Sequence, residues 1–464
     1  MTPLARRPEF GGPPVDLGAF VRDAADRGML LVQPRMGFSE PSAMRAGLAA
    51  TRRAGAATVG TITLDSYTRV GDLAAVARAL ETGQPLNGYP ITSIDPAITR
   101  AMLAGILGPD FPVQVRHGSA APRKIFDALV AAGLTASEGG PVSYCLPYSR
   151  TPLAESVRNW ADCVRRFTAL REWGAEPHLE TFGGCLLGQL CPPSLLVAVS
   201  VLEALFFCQH GMRSVSVSYA QQTQLAQDLE AVAALRRLCA ELLPVTDWHV
   251  VVYTYMGLYP TTSRGAFRLL GQSARLAVYS GSERLIVKTA AESRGIPTVV
   301  ENVAALRYAG SFVPTKVVPA EPDADSATYE EARDLVAAVL NLAPDIGRAL
   351  LLAFDRGYLD VPYCLHPDNR GRTRSYVADD GSLRWSDTGS LPVRRPTRSG
   401  DHRITSDRLL ADLSYVRRTF DHGPETGRAG AGSALGPGDG TAMARSDEGC
   451  DDPFVGEAHA VGGR

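Results

Sequence analysis

The sequence predicts an α/β protein: an eight-stranded parallel β/α (TIM-type) barrel with a small C-terminal α+β appendage and a disordered tail. Three observations carry that expectation. Short β-like runs recur with starts roughly 25–40 residues apart, the spacing of βα units. Segments rich in Ala and Leu, with helical periodicity, fill the intervals. Eight or nine such units close into a barrel more readily than they extend an open sheet, and a doubly wound open sheet is the structural alternative.

The β-like runs are, in order, Leu30–Arg35, Ala57–Asp65, Pro85–Thr92, Pro112–His117, Val142–Tyr148, His178–Phe182, Ser214–Tyr219, His249–Tyr255 and Arg284–Lys288. Val70–Thr82 and Leu225–Leu243 read as amphipathic helices, and Pro192-Pro193-Ser194 opens another, because proline loses no needed hydrogen bond in a first turn. Beyond about residue 355 the pattern changes. Tyr376–Trp385 reads as a hairpin around an Asp380-Gly381 turn. From Gly423 to Arg464, 11 of 42 residues are glycine with little aliphatic pattern, so that stretch is expected to be disordered. The division expected is an N-terminal extension (1–28), a barrel (29–354), an appendage (355–422) and a tail (423–464).

Composition narrows the function classes. Of 464 residues, 45% are hydrophobic and 21% charged, and the net charge is −2, which gives no basic field for nucleic acid or an anionic membrane. Eight scattered cysteines form no C-x-x-C pair, which argues against a zinc ribbon. Arg6-Arg7 precedes no apolar run, and the longest apolar stretch, Ser194–Cys208, is short and interrupted by Glu203. The expected setting is cytoplasmic. Only three basic residues are lysine, namely Lys124, Lys288 and Lys316, so a lysine at a strand end stands out.

Barrel chemistry sits where strands end. There the sequence places Arg35, then Asp65, Tyr67 and Arg69, then Asn87, Arg116-His117, Glu138 and Lys288. Three arginines at one mouth repel one another unless an anion lies between them, and their forks suit carboxylate or phosphate. Glu138 precedes Gly139-Gly140, which lets the backbone pass close to a ligand; its carboxylate suits a substrate ammonium or a base role. Tyr144 and Tyr148 read either as hydrogen-bond donors or as an aromatic lining. Lys288 and Glu292 suit a polar ligand edge such as a ribose, with a surface helix pair and a Schiff-base lysine as the alternatives. No phosphate loop, zinc helix, nucleophile elbow or dinucleotide fingerprint is present.

These residues lie in motifs that resemble the large (epsilon) subunit of glutamate mutase, also called methylaspartate mutase. They are Gln33–Gly37, Thr63–Arg69, Leu86–Pro90, Gln114–Gly118, Ser137–Gly140 with Ser143–Tyr148, Pro192–Ser194, and Val287–Glu292 with Gly295–Pro297. The resemblance implies an adenosylcobalamin-dependent radical isomerase that converts L-glutamate to 3-methylaspartate by fragmentation and recombination of the carbon skeleton. It implies that Arg35, Arg69 and Arg116 clamp the two substrate carboxylates with His117 beside them. Glu138 would meet the amino group and act as the catalytic carboxylate, and Tyr144 and Tyr148 would line the site. Gly37, Asn87, Pro147, Tyr259, Lys288, Glu292 and Ile296 would contact the coenzyme, with Lys288 and Glu292 on its ribose; at Tyr259 the family commonly has phenylalanine. The resemblance also implies a separate small cobalamin-binding subunit carrying a D-x-H-x-x-G motif, and a homodimer of this chain within a heteromer. That motif is absent here: Asp247-Trp248-His249 lacks its glycine and reads as a buried strand. A cobalamin mutase acting on another amino diacid, or a non-catalytic barrel that assembles with a cobalamin protein, are the alternatives.

Overall fold

In the computed structural model, which describes residues 14–183, 190–312, 326–394 and 404–422, eight parallel strands follow one another around a barrel. They are β1 (Leu31–Pro34), β2 (Gly60–Thr63), β3 (Val113–Arg116), β4 (Ala136–Glu138), β5 (His178–Glu180), β6 (Ser214–Ala220), β7 (Asp247–Tyr253) and β8 (Arg284–Val287). Neighbours in sequence pair from β2 to β8, and β8 returns to β1 with Leu31 opposite Arg284. The remaining seam is joined by a parallel bridge between Val32 and Thr58: Val32 N donates to Ala57 O at 2.9 Å and Val59 N to Val32 O at 3.3 Å. Closure of this kind leaves no long free edge to be capped.

Seven of the nine predicted runs overlap a strand. Pro85–Thr92 and Val142–Tyr148 do not. The first is a loop that touches the sheet through one bridge, Leu64 with Tyr89; Pro85 and Pro90 supply no N–H for a ladder. The second is a helical turn, with Leu146 N bonded to Val142 O at 3.0 Å and Ser149 N to Cys145 O at 3.0 Å. Its alternation of large and small residues imitates a strand. The true fourth strand is Ala136-Ser137-Glu138, which holds no β-branched residue and so gave no periodic signal. The predicted helix Val70–Thr82 is two pieces, Ser66–Val70 and Leu73–Glu81. The other helix readings match Leu225–Leu242 and Pro193–Gln209, the latter opening with proline at its first positions.

The helix Leu17–Asp26 lies within the stretch set apart as an extension. Its Leu17, Val21 and Ala24 pack with Leu31, Val59 and Ala136, at the N-terminal ends of the strands. Beyond the barrel, β9 (Arg374–Val377) and β10 (Leu383–Asp387) form the antiparallel hairpin. The helices Ser406–Leu413 and Tyr415–His422 follow it. The tail lies outside the described residues. Among the described residues no helix is long and apolar enough to cross a membrane.

The barrel interior is unusually polar for a fold normally filled by branched aliphatics. Arg284 is fully buried and ion-paired with Glu180, also fully buried. Its Nε donates to His249 Nε2 at 2.9 Å and its Nη1 to Gln33 Oε1 at 2.6 Å, while Gln33 Nε2 donates to Gln114 Oε1 at 2.8 Å. Buried charge of this kind persists only when paired and hydrogen-bonded throughout. This layer is the floor on which the mouth residues rest.

Candidate active site at the barrel mouth

Arg116, Glu138, Glu180 and Tyr253 are the last residues of β3, β4, β5 and β7. Parallel strands therefore present all four at the same end. Arg116 Nε lies 3.1 Å from Glu138 Oε1, and both side chains are at least nine-tenths buried. The Tyr144 hydroxyl donates to the same oxygen, and the Tyr253 hydroxyl lies 2.8 Å from Glu138 Oε2 while also contacting Glu180 Oε1. Burial, followed by the charge of Glu180, pushes the Glu138 carboxyl up; Arg116 and the two tyrosine hydroxyls oppose this. Burial works against the Arg116 charge, but Glu138, Tyr253, Tyr144 and Glu180 outweigh it and keep the guanidinium protonated.

Arg69 arrives from a different element. Asp65 caps the helix Ser66–Val70 by accepting from Tyr67 N at 3.0 Å and Thr68 N at 2.9 Å, and Asn87 Oδ1 accepts from Ser66 N at 2.9 Å. The Arg69 guanidinium passes over Gly118, where any Cβ would lie 2.9 Å from its Nε. It then lies over the Tyr148 ring, 5.5 Å from the centroid, a cation–π contact. His117 stacks on Trp160 and meets Tyr144 edge-on. Burial, then the Arg69 charge, pushes the His117 pKa down to about 3, so its ring is neutral. Nδ1 accepts from Ser119 N at 3.1 Å, which leaves the proton on Nε2.

Three buried donors at this mouth have no hydrogen-bond partner among the described residues: Arg69 Nε, Arg116 Nη1 and His117 Nε2. Unsatisfied buried N–H groups are rare in folded proteins, and two of these are on permanent cations. Arg69, Pro147 and Tyr148 line a cavity of about 720 Å³ that continues to Arg150, Cys364 and His366.

The structure thus brings together Arg69, Arg116, His117, Glu138, Tyr144 and Tyr148. Arg35 is placed differently. Its Nη1 lies 3.2 Å from Glu292 Oε2, and Lys288 Nζ lies 3.6 Å from that same oxygen. Lys288 Nζ also sits over the Tyr259 ring at 4.4 Å. Gly37 is buried beside Thr63, whereas Asn87 and Ile296 are exposed. The Tyr259 hydroxyl is buried without a partner among the described residues. An ammonium, a carboxylate and an unpaired hydroxyl in one cluster fit a ligand edge bearing several hydroxyl groups, as a ribose does.

Sequence reading missed Glu180, Tyr253, Phe182 and Arg284. Phe182 and Tyr253 supply the rings beneath Arg116, at 5.7 and 4.9 Å. A visible signal existed for Glu180 and Arg284, since each is a charge within a run already read as β-like.

The methylaspartate mutase E chain family model matches residues 15–410. The chain belongs to this family. The glutamate mutase epsilon subunit of Escherichia coli O157:H7 is 31% identical over 369 residues, covering 75% of this chain and 76% of that one. The epsilon subunit of Desulfitobacterium hafniense is 30% identical over 384 residues, 79% of this chain and 78% of its own. That of Halobacterium salinarum is 32% identical over 392 residues, with coverages of 82% and 81%. Membership of the methylaspartate mutase E chain family thus spans the barrel and the hairpin together.

Proposed function

We propose that this chain is the substrate-binding catalytic subunit of an adenosylcobalamin-dependent glutamate mutase, which rearranges L-glutamate to 3-methylaspartate. The observation that carries the reading is the pair of buried, unpartnered guanidinium N–H groups on Arg69 and Arg116, the second of which is ion-paired with the Glu138 carboxylate. A molecule with two carboxylates and one ammonium matches that set in sign and number. Arg69 and Arg116 bind the carboxylates, and Glu138 takes the ammonium. Each charge-assisted contact contributes about 1.5–3 kcal/mol. Tyr144 and Tyr253 hold Glu138 in place, and neutral His117 offers a further N–H without adding charge. Tyr148 and Phe182 shield the two guanidinium groups from water.

When bound, adenosylcobalamin supplies homolysis of its cobalt–carbon bond and hence hydrogen abstraction from an unactivated carbon. Lys288 and Glu292, with the Tyr259 hydroxyl beside them, would hold its ribose, and Gly37, Asn87, Pro147 and Ile296 would contact other parts of the coenzyme. Arg35, paired with Glu292, belongs to this coenzyme cluster and not to the substrate clamp in which the sequence had placed it. Cobalt is carried by a separate small subunit with a D-x-H-x-x-G motif, so the working enzyme is a heteromer containing a homodimer of this chain.

The test mixes this chain with such a subunit, adenosylcobalamin and L-glutamate, and follows 3-methylaspartate by NMR. Formation of 3-methylaspartate is expected. Turnover of a different amino diacid alone would replace glutamate as the substrate, and no turnover of any diacid would overturn the enzymatic reading.

A further inference from the structure

The largely apolar helix Pro193–Gln209 carries a single charge, Glu203, which is fully buried. No basic side chain pairs with it among the described residues. Its carboxylate faces the loop that follows β4. Oε1 accepts from Val142 N and from Ser143 N, each at 2.9 Å, and Oε2 accepts from Ser143 Oγ at 2.8 Å. The backbone of Phe182, after β5, adds a further donor. A Cβ at Gly140 would run into this carboxylate. The second glycine of the Glu138-Gly139-Gly140 motif therefore makes room for Glu203 rather than for a ligand.

Glu203 occupies the N-terminal end of the helical turn Val142–Tyr148, whose first N–H groups would otherwise be buried without acceptors. That turn presents Tyr144 to Glu138 and Tyr148 to Arg69. An unpaired buried carboxyl is expensive, and burial, opposed by these donors, pushes this one up to about 7. An apolar residue would suit the helix better, so the cost is explained by what the carboxylate holds.

We infer that Glu203 is a positioning residue for the mutase reaction: from the barrel's outer helix it clamps the Val142–Tyr148 turn and so fixes Tyr144 against Glu138. The inference rests on the function proposed above, and its test separates the two.

The experiment is a double-mutant cycle on the assembled enzyme with Glu203→Leu and Tyr144→Phe, read as kcat/KM for L-glutamate. Glu203→Leu is expected to lower kcat/KM about 100-fold, the scale of a misplaced orienting group. In the Tyr144→Phe background the same change should cost less than about threefold, because the two act through one contact. Glu203→Gln, whose amide oxygen still accepts from both N–H groups, should restore activity to within about tenfold of wild type. Affinity for adenosylcobalamin should be unchanged in all three. Multiplicative losses, a parallel loss of coenzyme affinity, or an active Glu203→Leu enzyme would each overturn the inference. If Glu203→Leu does not fold, Ser143→Ala, which removes only the hydroxyl half of the clamp, carries the same cycle with the same criteria. Should the unsubstituted enzyme leave glutamate unchanged, the proposed function fails. Hydrogen exchange still decides on the clamp: Val142 and Ser143 amides protected in Glu203→Gln but not in Glu203→Leu support it, and unaltered protection in Glu203→Leu contradicts it.

Discussion

On the proposed function Glu138 meets an ammonium as a carboxylate, yet it is buried, and both burial and Glu180 favour its protonated form. What keeps it available is donated to it: the Arg116 guanidinium and the hydroxyls of Tyr144 and Tyr253. Removing a donor to the ionised form raises the carboxyl pKa further. In Tyr253→Phe the acidic limb of the kcat/KM profile for glutamate should therefore move to higher pH. An unmoved limb would remove Tyr253 from the control of Glu138. Arg69→Lys replaces a fork by a point charge at a position whose Nε–H is buried and unpartnered. Glutamate kcat/KM should fall about 10- to 100-fold, matching one charged contact, with coenzyme affinity unchanged. A drop in coenzyme affinity instead would shift Arg69 from the substrate to the coenzyme.

Among the elements, the helix Pro193–Gln209 and the C-terminal helix Tyr415–His422 each hold a loop of the mouth through one carboxylate. For Glu203, burial raises the folded-state pKa from 4.5 to about 7. A raised carboxyl pKa means the folded state keeps a proton that the unfolded state loses. Stability is accordingly lost as pH rises from 4.5 to about 7, then levels off. Glu203→Gln cannot titrate, so denaturant unfolding should show its stability relative to wild type growing between pH 5 and pH 8, by up to about 3 kcal/mol. A pH-independent difference would mean the carboxyl is not held neutral. Asp421 behaves in the opposite sense. Partial burial pushes its pKa up, but donors from Thr261 and Thr262, backbone and hydroxyl both, outweigh this and bring it to about 2. Its contribution is present above the ordinary carboxylate range and lost only as pH falls toward 2. Tyr259, two residues before that latch, packs with Val416 of the C-terminal helix. Asp421→Ala should cost about 1 kcal/mol, as a lost cap does, and should speed amide exchange at Thr261, Thr262 and Gly265; unchanged exchange there would show that the helix does not hold the loop.

Across the molecule, what could be read from sequence followed locality. Residues with strong local signals announced themselves: apolar runs with branched residues gave β1 through β3 and β5 through β8, and forked cations at or just beyond strand ends gave Arg116 and Arg69. Ala136-Ser137-Glu138 carried no branched residue, so β4 was missed although its Glu138 was found. Glu180 and Tyr253 acquire their meaning only across the barrel, where closure brings the ends of β4, β5 and β7 together, and Glu203 only where its helix packs on the loop after β4. Arg35 shows the converse: its residue type was legible, but its pairing with Glu292, 257 positions away, was not. At this scale the chain should also be incomplete by itself. With adenosylcobalamin and L-glutamate but no cobalamin-binding subunit, no 3-methylaspartate is expected, and product formed by this chain alone would refute the need for a partner.

The most direct measurement is a crystal structure of this chain assembled with a small cobalamin-binding subunit and L-glutamate. It should place one substrate carboxylate on Arg69 Nε, the other on Arg116 Nη1, and the ammonium against Glu138. Electron density for glutamate elsewhere, with both guanidinium groups still unliganded, would contradict the account.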